Sequence, residues 1–231
     1  MRTKVGLFLL IGAFLLTDVA AHAFEAGPSM SGDGALKLLL EGNRSFVSNH
    51  LTISESSTAA KRRALVPGQH PCAVVLSCSD SRVPPEVIFN KGPGEIFVVR
   101  DAGNIPDPIV LGSIEYAVEH LGSSLIMVLG HSRCGAVTAA VGATGHEEGN
   151  IGAIIEKIAP AVRLAREKTK EGNKAELIET AIDANIKLTA QSLVQKSPVI
   201  RSLVDAGKVK IVCAKYSLGS GTVKVMSCKA E

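Results

Sequence analysis

Three short runs of β-branched and aliphatic residues, CAVVLS (72–77), EIFVVRDA (95–102) and SLIMVLG (124–130), constrain this chain more than any other feature. Each is entered from a polar or Gly-containing segment and is apolar on both alternating faces, the signature of strands buried in a parallel sheet. Parallel strands need crossovers, and the intervening sequence supplies them. IVLGSIEYAVEHLG (109–122) has helical spacing. After the third run come GAVTAAVGA (135–143), IGAIIEKIAPAVRLAREKTKEG (151–172) and ELIETAIDANIKLTAQSLVQ (176–195), all helical by composition and period. SPVIRSLVDAGK (197–208) is one more short helix, with Ser197 as N-cap and Gly207 near its end. The C-terminal KVKIVCAKYSLGSGTVKVMS (208–227) predicts a β-hairpin turning at Gly219-Ser220-Gly221. The expected fold is α/β: a central, mostly parallel β-sheet flanked by helices, with a C-terminal hairpin. Neither repeats nor a second domain boundary are visible.

Upstream of the sheet, ALKLLLEGNRSFVSN (35–49) predicts an amphipathic helix with Leu36, Leu39, Leu40 and Phe46 toward the core. A second helix is expected within SSTAAKRRALV (56–66), stopped by Pro67-Gly68. Its Lys61-Arg62-Arg63 is the densest basic cluster. The other cations are scattered and the net charge is only +3, which argues for a solvated helix face and against nucleic-acid binding. The chain has no Trp and 3% aromatic residues, so its core must be built from Val, Ile, Leu and Ala.

The first 23 residues read as a secretory signal peptide: Arg2 and Lys4, then GLFLLIGAFLL, then the Ala21-His22-Ala23 cleavage pattern. The apolar stretch is short for a bilayer span. Cleavage after Ala23 removes two cations (Arg2, Lys4) and one anion (Asp18), taking the net charge from +3 to +2. The expected organisation is a signal peptide (1–23), a flexible segment (24–34) and a single domain (35–231). The expected location is the periplasm, or the medium if the source is not Gram-negative, with no membrane attachment after cleavage.

Ligands of open parallel sheets bind beyond the carboxyl ends of the strands. CSDSRVPPE begins at the end of the first strand, and the third ends in HSRCG. Two neighbouring strands can thus deliver Cys78, Asp80, His131 and Cys134 to one point. Two thiolates, an imidazole and a carboxylate or water form a tetrahedral zinc set. A disulfide between Cys78 and Cys134 is the competing reading, since an oxidising compartment permits one. It leaves Asp80, Arg82 and His131 at the same strand ends unexplained. Asp80 and Arg82 alternate with Cys78, so an extended segment would place all three on one face.

CSDSRVPPE, GEIFVVRDAGN and GHSRCGA, in this order, resemble the β-class carbonic anhydrases, and the similarity runs from about Ala35 to Val225. The resemblance implies one zinc per chain, held by Cys78, His131 and Cys134. Asp80 is then either the fourth ligand or turned away to pair with Arg82, and the latter makes Asp80 and Arg82 the catalytic pair. It implies reversible hydration of carbon dioxide to bicarbonate and a proton, by attack of zinc-bound hydroxide. Two thiolates and Asp80 add negative charge, so activity is expected to rise with pH. The family's closed, bicarbonate-regulated form relies on a tryptophan where this chain has Val75. Its open, plant-like form uses residues that match Gln69, Phe97 and Tyr116. The open form is therefore expected, with Gln69 donating to bicarbonate and Phe97 and Tyr116 walling a carbon dioxide pocket across a subunit boundary. Gly103 and Gly135 are further candidate substrate contacts. Family members form homodimers or multiples of dimers, N-terminal helices embracing the partner.

The chain departs from the family's RNVAN with Arg100-Asp101-Ala102-Gly103-Asn104. Asp101 adds a possible negative charge, and Gly103 is expected to loosen the loop. Cys72 is expected in the core. Cys213 should face Met226, so a disulfide with Cys228 would require the hairpin to bend, and Cys228 could instead pair between chains. His120, expected to be structural, and His146, in a polar loop, are candidate proton shuttles. Two rivals remain: a hydrolase of carbonyl sulfide or carbon disulfide on the same scaffold, and a zinc-binding scaffold with a dead site.

Overall fold

The computed structural model describes residues 30–145 and 147–229. The proposed cleavage site and His146 lie outside them. Five strands form one sheet in the order β2-β1-β3-β4-β5: β1 (Ala73–Cys78), β2 (Ile96–Asp101), β3 (Leu125–His131), β4 (Lys210–Tyr216) and β5 (Val223–Met226). The first four are parallel, and β5 closes the sheet as an antiparallel hairpin. This is the expected architecture. The helices among the described residues are α1 (Gly32–Val47), α2 (Ile53–Ser56), α3 (Ala59–Ala64), α4 (Pro85–Ile88), α5 (Pro108–Glu119), α6 (Gly135–Gly142), α7 (Asn150–Lys168), α8 (Lys174–Lys196) and α9 (Pro198–Asp205). None is long and apolar enough to cross a membrane.

Alternation along the strands divides the core in two. Ala73 and Val75 of β1 and Leu125, Met127 and Leu129 of β3 pack with Ala35 and Leu39 of α1 and with Ile88 and Phe89. Val74, Leu76, Ile126 and Val128 point the other way, into a larger cluster built with α5 to α9. Both clusters are aliphatic, as the composition requires.

Local signals account for most boundaries. Ser31 accepts from the Gly34 N–H and starts α1, so Gly32 to Gly34 are helical and not part of a flexible lead. Leu39 is fully buried, whereas Leu36, Leu40 and Phe46 are only half-buried. Ser197 caps α9 through the Ile200 N–H, as expected. Lys61, Arg62 and Arg63 are exposed on α3. α8 lies close on β3 because Gly130 has no side chain: a Cβ there would meet Ile186 at 2.5 Å.

Two features of the C-terminal hairpin differ from expectation or were not anticipated. Cys213 does face Met226 in the ladder, yet Cys213 and Cys228 form a disulfide with Cα atoms 5.4 Å apart. β5 ends at Met226, so Ser227 and Cys228 are free to turn back toward β4. The bend that made the bridge unlikely on an extended strand is supplied by leaving the strand. On the other side, the buried Asn43 of α1 donates to the Gly221 and Ile88 carbonyls and accepts from the Val223 N–H. Cys72 is half-buried just before β1, short of the core position expected for it.

Replacing Cys228 by Ser, or adding a thiol reductant, is expected to lower stability by about 3 kcal/mol, the loop-entropy value for a ring of this size. A lower urea midpoint with unchanged secondary structure is the expected observation. An unchanged midpoint would show that the bridge contributes nothing.

Candidate metal centre

β1 and β3 are neighbours in parallel register, from Ala73 opposite Leu125 to Ser77 opposite Leu129. Their carboxyl ends therefore lie together, and so do the residues that follow. The Cys78 Sγ, a His131 ring nitrogen and the Cys134 Sγ lie within 4.8 Å of one another, all three residues buried. The two sulfurs are 3.9 Å apart and both thiols are free, so no disulfide joins them. Two sulfurs on one tetrahedral ion, each ~2.3 Å from it, would stand roughly 3.8 Å apart.

The histidine points the same way. His131 Nδ1 lies 3.0 Å from the Ser132 carbonyl, which can only accept, so Nδ1 carries the proton. Neutral His131 then has a bare Nε2 lone pair. That atom is fully buried with no hydrogen-bond partner. A buried acceptor left empty is costly unless something fills it, and a metal ion does so. One of the two sulfurs is also primed for ionisation. Hydrogen bonding from Cys134 pulls the Cys78 thiol well below the usual thiol range, helped by the Gly103 N–H, against burial. The same shared bond, with burial, pushes Cys134 upward as the second thiol of the pair. Cys134 also sits at the N-cap of α6, where backbone N–H groups oppose that rise.

Asp80 is turned to Arg82. Arg82 Nε donates to Oδ1 at 2.9 Å and Nη2 to Oδ2 at 2.7 Å, a bidentate pair. The Arg82 N–H also donates to Oδ1 at 3.0 Å, and the Val83 N–H to the Asp80 carbonyl. The segment is thus a tight turn, not the extended run expected from alternation; Asp80 and Arg82 meet because an Asx turn folds them together. Arg82 hydrogen bonds hold the Asp80 carboxyl far below the usual carboxylate range. Asp80 Oδ2 stays 3.9 Å from His131 Nε2, close to the donor cluster.

The residues after β2 form the third wall. Gly103 is buried, with φ +88°, and donates its N–H to the Cys78 Sγ at 3.3 Å. At that φ any side chain is strained, and a Cβ there would also meet the Ile158 Cδ1 at 2.7 Å, so glycine suits the position. Instead of loosening the loop, Gly103 lets it close onto the thiol. The loop is pinned elsewhere too: Asp101 Oδ1 accepts from the Ile105 N–H, Asn185 donates to the Gly103 carbonyl, and Thr189 donates to the Asn104 carbonyl. Burial pushes the Asp101 carboxyl up to about 7, with Asp107 and Cys78 adding to the rise. The extra negative charge expected from Asp101 therefore appears only above neutral pH.

Gln69, Phe97 and Tyr116 are elsewhere on the chain. Gln69 is exposed two residues before Pro71, whose carbonyl accepts from Ser123 at the amino edge of the sheet. β1 climbs from there to Cys78, a rise of roughly 17 Å along the strand. Phe97 stands opposite Val74 near that same edge, and its ring lies 6.3 Å from Tyr116. Tyr116 is 48% exposed on α5, beside the 79% exposed Ile109. Gly135 is exposed at the first turn of α6, with open space where a Cβ would be. His120 is exposed at the end of α5, 5.5 Å from the Tyr116 ring, and forms no part of the core.

Three supporting residues escaped the sequence reading. Arg100 donates to the Cys78 and Asp80 carbonyls, fixing the turn. Its signal was a cation closing an otherwise apolar strand. Glu179 accepts from the Arg133 N–H and pairs with Lys215, while Asn185 reaches Gly103. Nothing in the helical pattern of α8 distinguished these from ordinary positions.

The family described as "Carbonic anhydrase" matches residues 73–223. Carbonic anhydrase 2 of Mycobacterium tuberculosis is 38% identical over 197 residues, covering 84% of this chain and 92% of that protein. The β-carbonic anhydrase of Coccomyxa superposes with a TM-score of 0.68 at 26% identity, over 83% of this chain and 86% of that one. One of two tetrameric β-carbonic anhydrases of Sordaria macrospora shares the fold, with a TM-score of 0.66 at 24% identity over 85% of this chain and 98% of that one. With its motifs placed on this sheet and a relative this similar along most of its length, the chain belongs to the β-class carbonic anhydrases, a family of lyases.

Proposed function

We propose that this chain is a zinc enzyme that interconverts carbon dioxide and bicarbonate. The observation that carries the reading is the empty, buried Nε2 of His131 beside two sulfurs at the spacing of a tetrahedral thiolate pair. Cys78, His131 and Cys134 would hold the ion, and soft sulfur donors favour zinc over magnesium or calcium. When bound, zinc supplies the Lewis acidity that lets water act as a nucleophile near neutral pH.

The chain's own residues set the rest. Arg82 holds Asp80 off the fourth position, which favours the open form of the site. Asp80, ionised far into acid, can accept a proton hydrogen bond from the nucleophile and orient it. The same geometry is compatible with carbonyl sulfide or carbon disulfide as substrate, and a dead-site scaffold would retain zinc without turnover. The intact Asp80–Arg82 pair supports an active enzyme.

Gln69, Phe97 and Tyr116 are too far from their own Cys78 to complete this site, so we propose that a second copy supplies them. Tyr116 and Ile109 are exposed apolar groups suited to such an interface. The assembly would be a homodimer or a multiple of dimers. We also propose that residues 1–23 direct export to the periplasm, or to the medium in a source that is not Gram-negative. The Cys213–Cys228 bridge supports an oxidising destination. The intact mass of the exported protein should then begin at Phe24; a mass that retains Met1 would remove the leader from the reading.

Stopped-flow hydration of carbon dioxide, with zinc assayed on the same sample, tests the main proposal. About one zinc per chain and a rate rising from about pH 6 to about pH 9 are expected, with loss of activity on chelation. Full zinc without carbon dioxide turnover would favour the sulfur-compound hydrolase or the scaffold. The Asp101 carboxyl, neutral below about 7 and charged above it, adds negative charge as the rate rises. Negative charge disfavours proton loss from water, so Asp101→Asn should move the rise to lower pH by up to about one unit.

Subunit exchange tests the shared site. Cys78→Ser and Gln69→Ala are each expected to be nearly inactive. In a mixed dimer the metal ligands of one chain meet the Gln69 of the other, and roughly a quarter of wild-type activity should return on random pairing. No recovery in verified mixed dimers would place Gln69 and the metal in the same chain.

A further inference from the structure

We propose that α8 clamps the donor loops, and that Asn185 is the positioning residue through which it sets the donor strength of the Cys78 sulfur. This rests on the zinc reading above but concerns groups that do not touch the metal.

One helix reaches both sides of the centre. Near its start, the Glu179 carboxylate accepts the Arg133 N–H at 3.0 Å, between His131 and Cys134. Lys215 of β4 braces it, forming ion pairs with Glu179 at 2.7 Å and with Asp183 at 2.8 Å. Two turns on, Asn185 Nδ2 donates to the Gly103 carbonyl at 2.8 Å, and Thr189 Oγ1 donates to the Asn104 carbonyl at 3.2 Å. Between them Ile186 packs into the gap left by Gly130, one residue before His131. Helical spacing puts Glu179, Asp183 and Ile186 on one stripe of α8 and Asn185 and Thr189 on the stripe beside it, so adjoining faces of one helix carry these contacts.

Asn185 is 4% exposed and Thr189 2%. Gly103 links them to the sulfur. Its carbonyl is held by Asn185, and its N–H points at the Cys78 Sγ at 3.3 Å. Gly103 lies past the end of β2 with φ +88°, so these two bonds, and not a strand ladder, hold its peptide. Without Asn185 the buried carbonyl would lack a partner, at a cost that drives the peptide to turn away. The N–H···S bond would then lengthen or break. An N–H donor withdraws charge from a thiolate and lowers its repulsion with a second thiolate. The pair Cys78 and Cys134 can hold one ion more easily when that bond is made.

The experiment compares wild type with Asn185→Leu, which keeps volume but removes the donor, and with Thr189→Val, which removes the neighbouring bond at equal shape. Zinc retention is measured against a competing chelator, and cobalt(II) is exchanged in to read its thiolate charge-transfer band. Far-UV circular dichroism confirms folding. The expected result is that Asn185→Leu loses zinc with about tenfold or weaker affinity and a displaced cobalt band, and Thr189→Val moves both in the same direction by less. Folded Asn185→Leu with wild-type affinity and band overturns the proposal. If Asn185→Leu does not fold, Thr189→Val decides: a wild-type band and affinity overturn the proposal, a shifted band supports it. Wild type that binds no zinc would instead overturn the metal reading itself.

Discussion

The parallel pairing of β1 with β3 is the constraint on which the rest depends. Their register, from Ala73–Leu125 to Ser77–Leu129, fixes where each strand stops. β1 then ends on Cys78 and β3 on His131, side by side at the carboxyl edge of the sheet. A one-residue slip would send Val74 and Leu76 into the core beside α1 and Ala73 and Val75 into the larger one, misfitting both. Burial of both faces therefore secures the register, and the register secures the donor geometry. The apolar core and the polar centre are one specification.

Around that point the protein uses backbone groups more than side chains. Arg100 holds the Cys78 and Asp80 carbonyls, the Gly103 N–H reaches sulfur, and the Ser132 carbonyl fixes the proton on His131. Few ionised groups are spent in the buried region, where each would be costly unless paired. The exception is Asp101, and its carboxyl answers burial by holding its proton to about 7.

The strands and long helices were legible because burial and periodicity are written along the chain itself. Cys78 and His131 were legible because they terminate such strands, and Cys134 because it follows three residues after the second. What escaped was anything decided by packing between distant segments. Cys228 reaches Cys213 only because β5 stops at Met226, and the stop depends on contacts that period two does not encode. Gly103 looked like a source of slack, because the sequence does not show Ile158, Asn185 and Thr189 closing around it. The Asp80–Arg82 pairing was one of two arrangements that the family resemblance implied, and its geometry is an Asx turn in place of an extended strand.

Asn43 joins the first helix to the last hairpin across 178 and 180 residues of sequence. Those bonds cannot form until Val223 has left the ribosome. Domains tend to fold as units, and contacts this far apart close late. A nascent chain of this protein thus spends its synthesis without its final closure.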